Sequence, residues 1–143
     1  MRHFISLLLF CMSLPVFANP QAIYNKITRA NGFWVFPKLI TKQSDQVQAS
    51  QNGAVILLYR GMAAHVRNND EMAWVLSHEL AHYKMGHRGS THPNEYAADK
   101  MAVTYMKRAG YNSCTGVKIL LRMSYPSSNS HPASKDRYNR VKC

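Results

Sequence analysis

Between Asn69 and Met85 the chain carries Met72, Trp74, Val75, Leu76, Leu80, Ala81 and Tyr83, apolar side chains that wrap most of a helix's circumference. A helix with so little polar surface belongs at the centre of a fold. Asn69 or Asp70 is placed to cap it, and its body is expected over Glu71 to Met85. The same segment also holds His78, Glu79 and His82. Ionisable groups inside an apolar helix need partners, because each one left unpaired is costly.

The spelling His78-Glu79-Leu80-Ala81-His82 sets two imidazoles one turn apart on one face. Their nitrogens can converge there on a tetrahedral Zn²⁺ at ~2.0 to 2.1 Å. Glu79 then lies beside the ion, outside its ligand shell, where it can take a proton from water held at the metal. The remaining glutamates are Glu71 and Glu95, and Glu95 falls in the first turn of a second helix expected from about Pro93 to Ala109. The short connection folds the two helices antiparallel and brings Glu95 opposite His82. Two histidines and a glutamate with an open fourth position make a catalytic zinc set, since structural sites are closed by four protein ligands. Asp99 lies one turn beyond Glu95. Two acids so spaced repel each other in an ordinary helix, but the pair makes sense if Glu95 binds metal and Asp99 accepts the far ring N–H of a ligand histidine. His87 and His92 in the connection are expected to be solvated and His65 to be structural.

Several motifs then agree in order: Asn69 through His82, Gly86-His87, Asn94-Glu95-Tyr96-Ala97-Ala98-Asp99, and Ala109-Gly110-Tyr111. Together they resemble the HtpX and CAAX-prenyl-protease type of zinc metallopeptidase, metallopeptidase family 48 in the gluzincin group. The resemblance implies an α+β fold: a compact gluzincin-like domain with a small mixed β-sheet packed on the H-E-x-x-H helix and a second, Glu-bearing helix. It implies one Zn²⁺ per chain on His78, His82 and Glu95, with Asp99 behind them. It also implies roles for a late His131-Pro132 and Arg137, the histidine near the metal on a loop and the arginine supporting the site. Gln48-Ala49 and Gly53 to Gly61 are similar to the strand pair that precedes the motif helix, whose edge receives extended substrate. The connection before Glu95 is shorter than in many members, Gln48 stands where Asn is frequent, and membrane-spanning helices are missing, so a prenylated substrate is not implied.

Elsewhere, Ala22, Ile23, Ile27 and Ala30 recur at helical spacing before Asn31-Gly32, a helix end. Three extended stretches follow. Phe33 to Ile40 is broken by Pro37 and belongs at an edge or outside a sheet, Gln46 to Ser50 alternates, and Ala54 to Tyr59 is apolar after the hairpin signal Gln51-Asn52-Gly53. A third helix is expected over Ser113 to Met123, a loop over Ser124 to Ser130, and a short helix after His131-Pro132.

Residues 1–18 read as a secretory signal peptide: a basic start, an apolar run shorter than the ~20 residues of a spanning helix, and cleavage after Ala18. Residues 19–143 are then the metallopeptidase domain, periplasmic or secreted, without a transmembrane segment. Losing Arg2 leaves 17 Lys and Arg against 7 Asp and Glu, a net +10. For an exported protein that charge suits weak association with an anionic envelope surface better than nucleic acid. Cys114 and Cys143 are expected to pair in an oxidising compartment. The expected activity is a zinc metalloendopeptidase that hydrolyses bonds of exported or envelope proteins bound extended. Catalysis would use Glu79, with His131 or Arg137 at the oxyanion. The alternative is a non-catalytic, metal-stabilised periplasmic chaperone or scaffold.

Overall fold

A computed structural model describes residues 19–143; the expected leader and its cleavage point after Ala18 lie outside the described residues. Helix α1, Pro20–Ala30, starts where the Asn19 side chain accepts the Gln21 N–H at 2.8 Å and ends at Gly32, whose φ of +68° closes it. Its buried face is Ile23, Tyr24, Ile27 and Thr28, while Ala22 and Ala30 are exposed. The expected stripe is therefore rotated. Tyr24 offers far more apolar area than either alanine, and its hydroxyl keeps a partner by donating to Pro37 O at 2.9 Å.

Strands β1 (Lys38–Lys42), β2 (Ala49–Asn52) and β3 (Val55–Tyr59) form a mixed sheet in the order β1-β3-β2. β3 runs parallel to β1, with Lys38 opposite Val55, and antiparallel to β2, with Ala49 opposite Leu58. Pro37 falls just outside the edge strand β1, where its missing N–H costs nothing. Gly53, with φ +56°, makes the β2–β3 turn. The strand expected over Gln46 to Ser50 begins later, at Ala49. Before it the chain crosses Gly61, where a Cβ would stand 2.1 Å from Asp45 O, and that crossing bends Asp45–Gln46 out of the sheet. Immediately after β3, α2 (Arg60–His65) buries Met62; six residues were too few to register as a periodic pattern.

Helix α3, Asn69–Lys84, is buried from Glu71 through His82 without a break. Its cap is Asn68, one residue earlier than expected, accepting from Glu71 N at 2.9 Å, because Asp70 turns instead to accept the Asn112 N–H at 2.9 Å. Glu71 meets Arg122 in a two-pronged ion pair and also accepts the Arg67 N–H at 2.7 Å. Helix α4, His92–Arg108, is capped by Thr91 and packs on α3; Ala98 and Ala102, small residues at helical spacing, are buried in it. The third helix is two: α5, Ser113–Gly116, and α6, Ile119–Met123. A Cβ on Gly116 would lie 2.5 Å from Asp70 O and 2.6 Å from Met106 Cε, so the chain passes tightly under α3 before turning.

Helix α7, Ser134–Val141, closes the described chain, and Cys143 after it is bonded to Cys114 in α5, with Cα atoms 5.5 Å apart. The loop so closed spans 29 residues. Loss of the bond should lower unfolding free energy by about 3 to 4 kcal/mol on the chain-entropy estimate. Urea titrations with and without reductant measure this; coincident curves would mean that α7 is held by packing alone. Among the described residues no helix is long and apolar enough to cross a membrane.

Candidate metal centre

Two adjoining turns of α3 and the first turn of α4 supply the centre. His78 Nε2 lies 3.0 Å from His82 Nε2 and 3.4 Å from Glu95 Oε2, and His82 Nε2 lies 3.3 Å from Glu95 Oε1. Tetrahedral bonds of ~2.0 to 2.1 Å put neighbouring donors about 3.3 Å apart, so this triangle has the size that one ion requires. Glu95 Oε1 is buried and accepts no hydrogen bond even so. A buried carboxylate oxygen without a donor, beside two imidazole nitrogens, fits a site built for a cation. His78, His82 and Glu95 are the residues that could hold it.

The supporting groups fix the ring orientations. His78 Nδ1 is 3.0 Å from Asp99 Oδ1, and Arg137 grips the same carboxylate through Nε at 2.8 Å and Nη2 at 2.7 Å. Burial alone would raise the Asp99 pKa, but the hydrogen bonds from Arg137 and His78 hold it below the usual carboxylate range. Arg137 Nη1 reaches to 3.5 Å from Glu95 Oε2. His82 has a different support, since its Nδ1 lies 2.9 Å from Nδ1 of His87. The expected solvated loop residue thus faces the centre. The signal was present in the chain, in a histidine just past the end of the motif helix, but only the tight turn through Gly86, φ +66°, swings it back.

Without metal, burial and the Arg137 charge press the His78 pKa down, yet hydrogen bonds to Asp99 and Glu95 outweigh them and lift it to about 9. Glu95 goes the other way: burial pushes its pKa up, and the two histidines hold it far below the ordinary value. Glu79 is buried beside them, and its pKa is raised mainly by that burial. His131 sits on the rim with its side chain 51% exposed; Nε2 is 3.9 Å from Glu95 Oε1 and Nδ1 is 2.9 Å from Ser130 Oγ. His92 pins the same loop through Nε2 to Ser128 O at 2.7 Å. His65 lies under Arg122, which donates to its carbonyl at 3.3 Å, and it does not line the cleft.

The centre forms the floor of a cleft of about 620 Å³. One wall is Val47 to Gln51, including the start of edge strand β2; the other is the Tyr125 to Pro132 loop, tied across the top by Tyr125 Oη donating to Val47 O at 3.1 Å. Trp74 and Val75 line the apolar part.

The model for peptidase family M48 matches residues 36–92, from the end of the α1–β1 connection to the start of α4, and with the His-His-Glu cluster it supports a metallopeptidase family 48-type domain. The model for peptidase U49 matches residues 69–142, the whole of α3 through α7, and the chain belongs to that family. No curated protein matches the chain.

Proposed function

We propose that the protein is a zinc-dependent endopeptidase, one domain over residues 19–143, acting on extended segments of exported or envelope proteins in the periplasm or outside the cell. The observation that carries this reading is the donor triangle of His78, His82 and Glu95 at the floor of an open cleft, with a buried carboxyl, Glu79, next to it. Zinc held by those three residues would polarise the scissile carbonyl and lower the pKa of the attacking water. Glu79 takes the proton of that water and returns it to the leaving amine, a task suited to a carboxyl whose pKa burial has raised. Asp99, clamped by Arg137, keeps the His78 proton on Nδ1 so that Nε2 presents its lone pair to the metal. Arg137 would thus be a positioning residue, and His131, on the rim beside Glu95, would donate to the developing oxyanion. Antiparallel alternation leaves the backbone groups of Ala49 and Gln51 on the free edge of β2, where an extended peptide pairs with little demand on its sequence.

Elemental analysis of protein purified without added metal should give one zinc per chain. Cleavage of a denatured protein should stop on chelation and return with zinc. Full cleavage by metal-free protein would overturn the reading. Because the metal-free His78 pKa is about 9, zinc binding at neutral pH must expel a proton. Affinity should therefore rise as pH increases towards 9 and level off above it, and calorimetry in buffers of different ionisation enthalpy counts the proton released.

A further inference from the structure

The connection between α1 and β1 holds the two most exposed large apolar side chains of the described residues, Trp34 at 96% and Val35 at 76%, followed by the part-exposed Phe36. The loop is nonetheless anchored at both ends. The Phe33 ring meets Tyr105 edge-on at 5.5 Å, and its N–H donates to Thr28 O at 3.0 Å. Phe36 meets the buried Tyr24 ring at 5.8 Å, and the Tyr24 hydroxyl holds Pro37 O. Between these two fixed points Trp34 and Val35 project into solvent, although the chain's other tryptophan, Trp74, is buried. Consecutive apolar side chains held out in this way mark a contact surface, where singly scattered ones would not.

The charge of the segment that carries the loop has one sign. Residues 19–44 contain Lys26, Arg29, Lys38 and Lys42 and no Asp or Glu. Lys84, from the end of α3, places Nζ 5.7 Å from the Phe33 ring centre at the base of the loop. The first acid after it, Asp45, is paired with Arg60. A tryptophan tip flanked in sequence by cations, with Lys84 at its base, matches the bilayer boundary, where the indole favours the headgroup level and Lys and Arg meet lipid phosphates. A second copy of the chain would set this basic, acid-free segment against itself. Val47 is the first residue to line the cleft, so a bilayer holding residues 34–36 would not contact the lining directly through them.

We infer that Trp34-Val35-Phe36 is a membrane-interface anchor: Trp34 and Val35 enter the headgroup and upper acyl region of an anionic bilayer while Arg29, Lys38 and Lys84 rest on its phosphates. The inference does not depend on the peptidase reading, and its test reads no cleavage.

The test uses vesicles of phosphatidylglycerol with phosphatidylethanolamine, with phosphatidylcholine vesicles as the uncharged control. The protein is the chain as recovered from cells, its N-terminus fixed by intact mass. Phosphatidylglycerol brominated in the upper acyl chain should quench the emission of the bound wild type. In Trp34→Phe, where only Trp74 emits, that quenching should disappear. Trp34→Ser with Val35→Ser should weaken vesicle partitioning by ~10-fold or more, the factor expected for withdrawing side chains of this size from an apolar phase. Binding to phosphatidylcholine should be weaker throughout. Both residues are exposed, so the double variant should melt with the wild type. Equal partitioning of wild type and double variant would overturn the inference and leave net charge, or residues 1–18, as the cause of binding. Bound protein whose Trp34 escapes quenching would overturn it equally. A wild-type dimer by sedimentation velocity, lost in the double variant without any vesicle binding, would assign the loop to a protein interface instead.

Discussion

Replacing Glu79 by Gln should leave a folded protein with its full complement of metal that cleaves a denatured substrate ~10² to 10⁴-fold more slowly. The amide has the volume of the carboxyl it replaces, so the buried turn of α3 keeps its packing, and the donor triangle of His78, His82 and Glu95 is not touched. What is lost is a group that can accept a proton and return it. Metal content, melting temperature and single-turnover cleavage of one denatured substrate by both proteins form the measurement. Cleavage at the wild-type rate would remove Glu79 from the chemistry. A wild type that itself never cleaves, while both proteins hold metal and suppress aggregation of the same substrate equally, would favour a metal-stabilised chaperone.

A second large effect is expected outside the cleft lining, at Glu71. Its carboxylate is 2% exposed and faces the Arg122 guanidinium, with the Arg67 N–H as a third donor. Glu71→Ala removes the anion and strands those donors, and the cost should be about 2 to 4 kcal/mol, somewhat reduced because Arg122 is partly open to water. Urea unfolding followed by far-ultraviolet circular dichroism measures it. Glu71→Leu combined with Arg122→Met should recover most of the loss, since that pair leaves no uncompensated charge behind. A single-variant loss below ~0.5 kcal/mol would show that Arg122 simply swings out to solvent.

Helices α3 and α4 are readable from sequence because each carries its own evidence: a nearly continuous apolar surface in one, and in the other an early Pro93 and a Gly110 stop. Glu95 stands opposite the histidines because a short connection leaves two antiparallel helices little choice of register. The features that escaped depend on residues far apart in the chain. Gly116 looks like an ordinary helical residue until the backbone of Asp70 is brought against it, and Gly61 does so until Asp45 crosses it. The inward face of α1 turned on Tyr24 finding Pro37 O as a partner, a contact spanning 13 residues. Glu71 and Arg122 are 51 positions apart, and no local pattern joins them. The loop position of His87 suggests a solvated side chain, whereas what matters is the direction the Gly86 turn gives it.

The unbroken burial of α3 from Glu71 to His82 has a kinetic consequence. In many enzymes reactive side chains sit on segments that fray while the body of the protein stays intact. Here the backbone amides that carry the two histidines belong to the segment on which the core is assembled. They should exchange with solvent deuterium at the slowest rate in the molecule, at the free energy of global unfolding. Partial, reversible loosening of the two histidines should then be unavailable: warming should give a single inactivation event that coincides with loss of the whole fold, and an ion bound at the floor of the cleft would shift that event for every element at once.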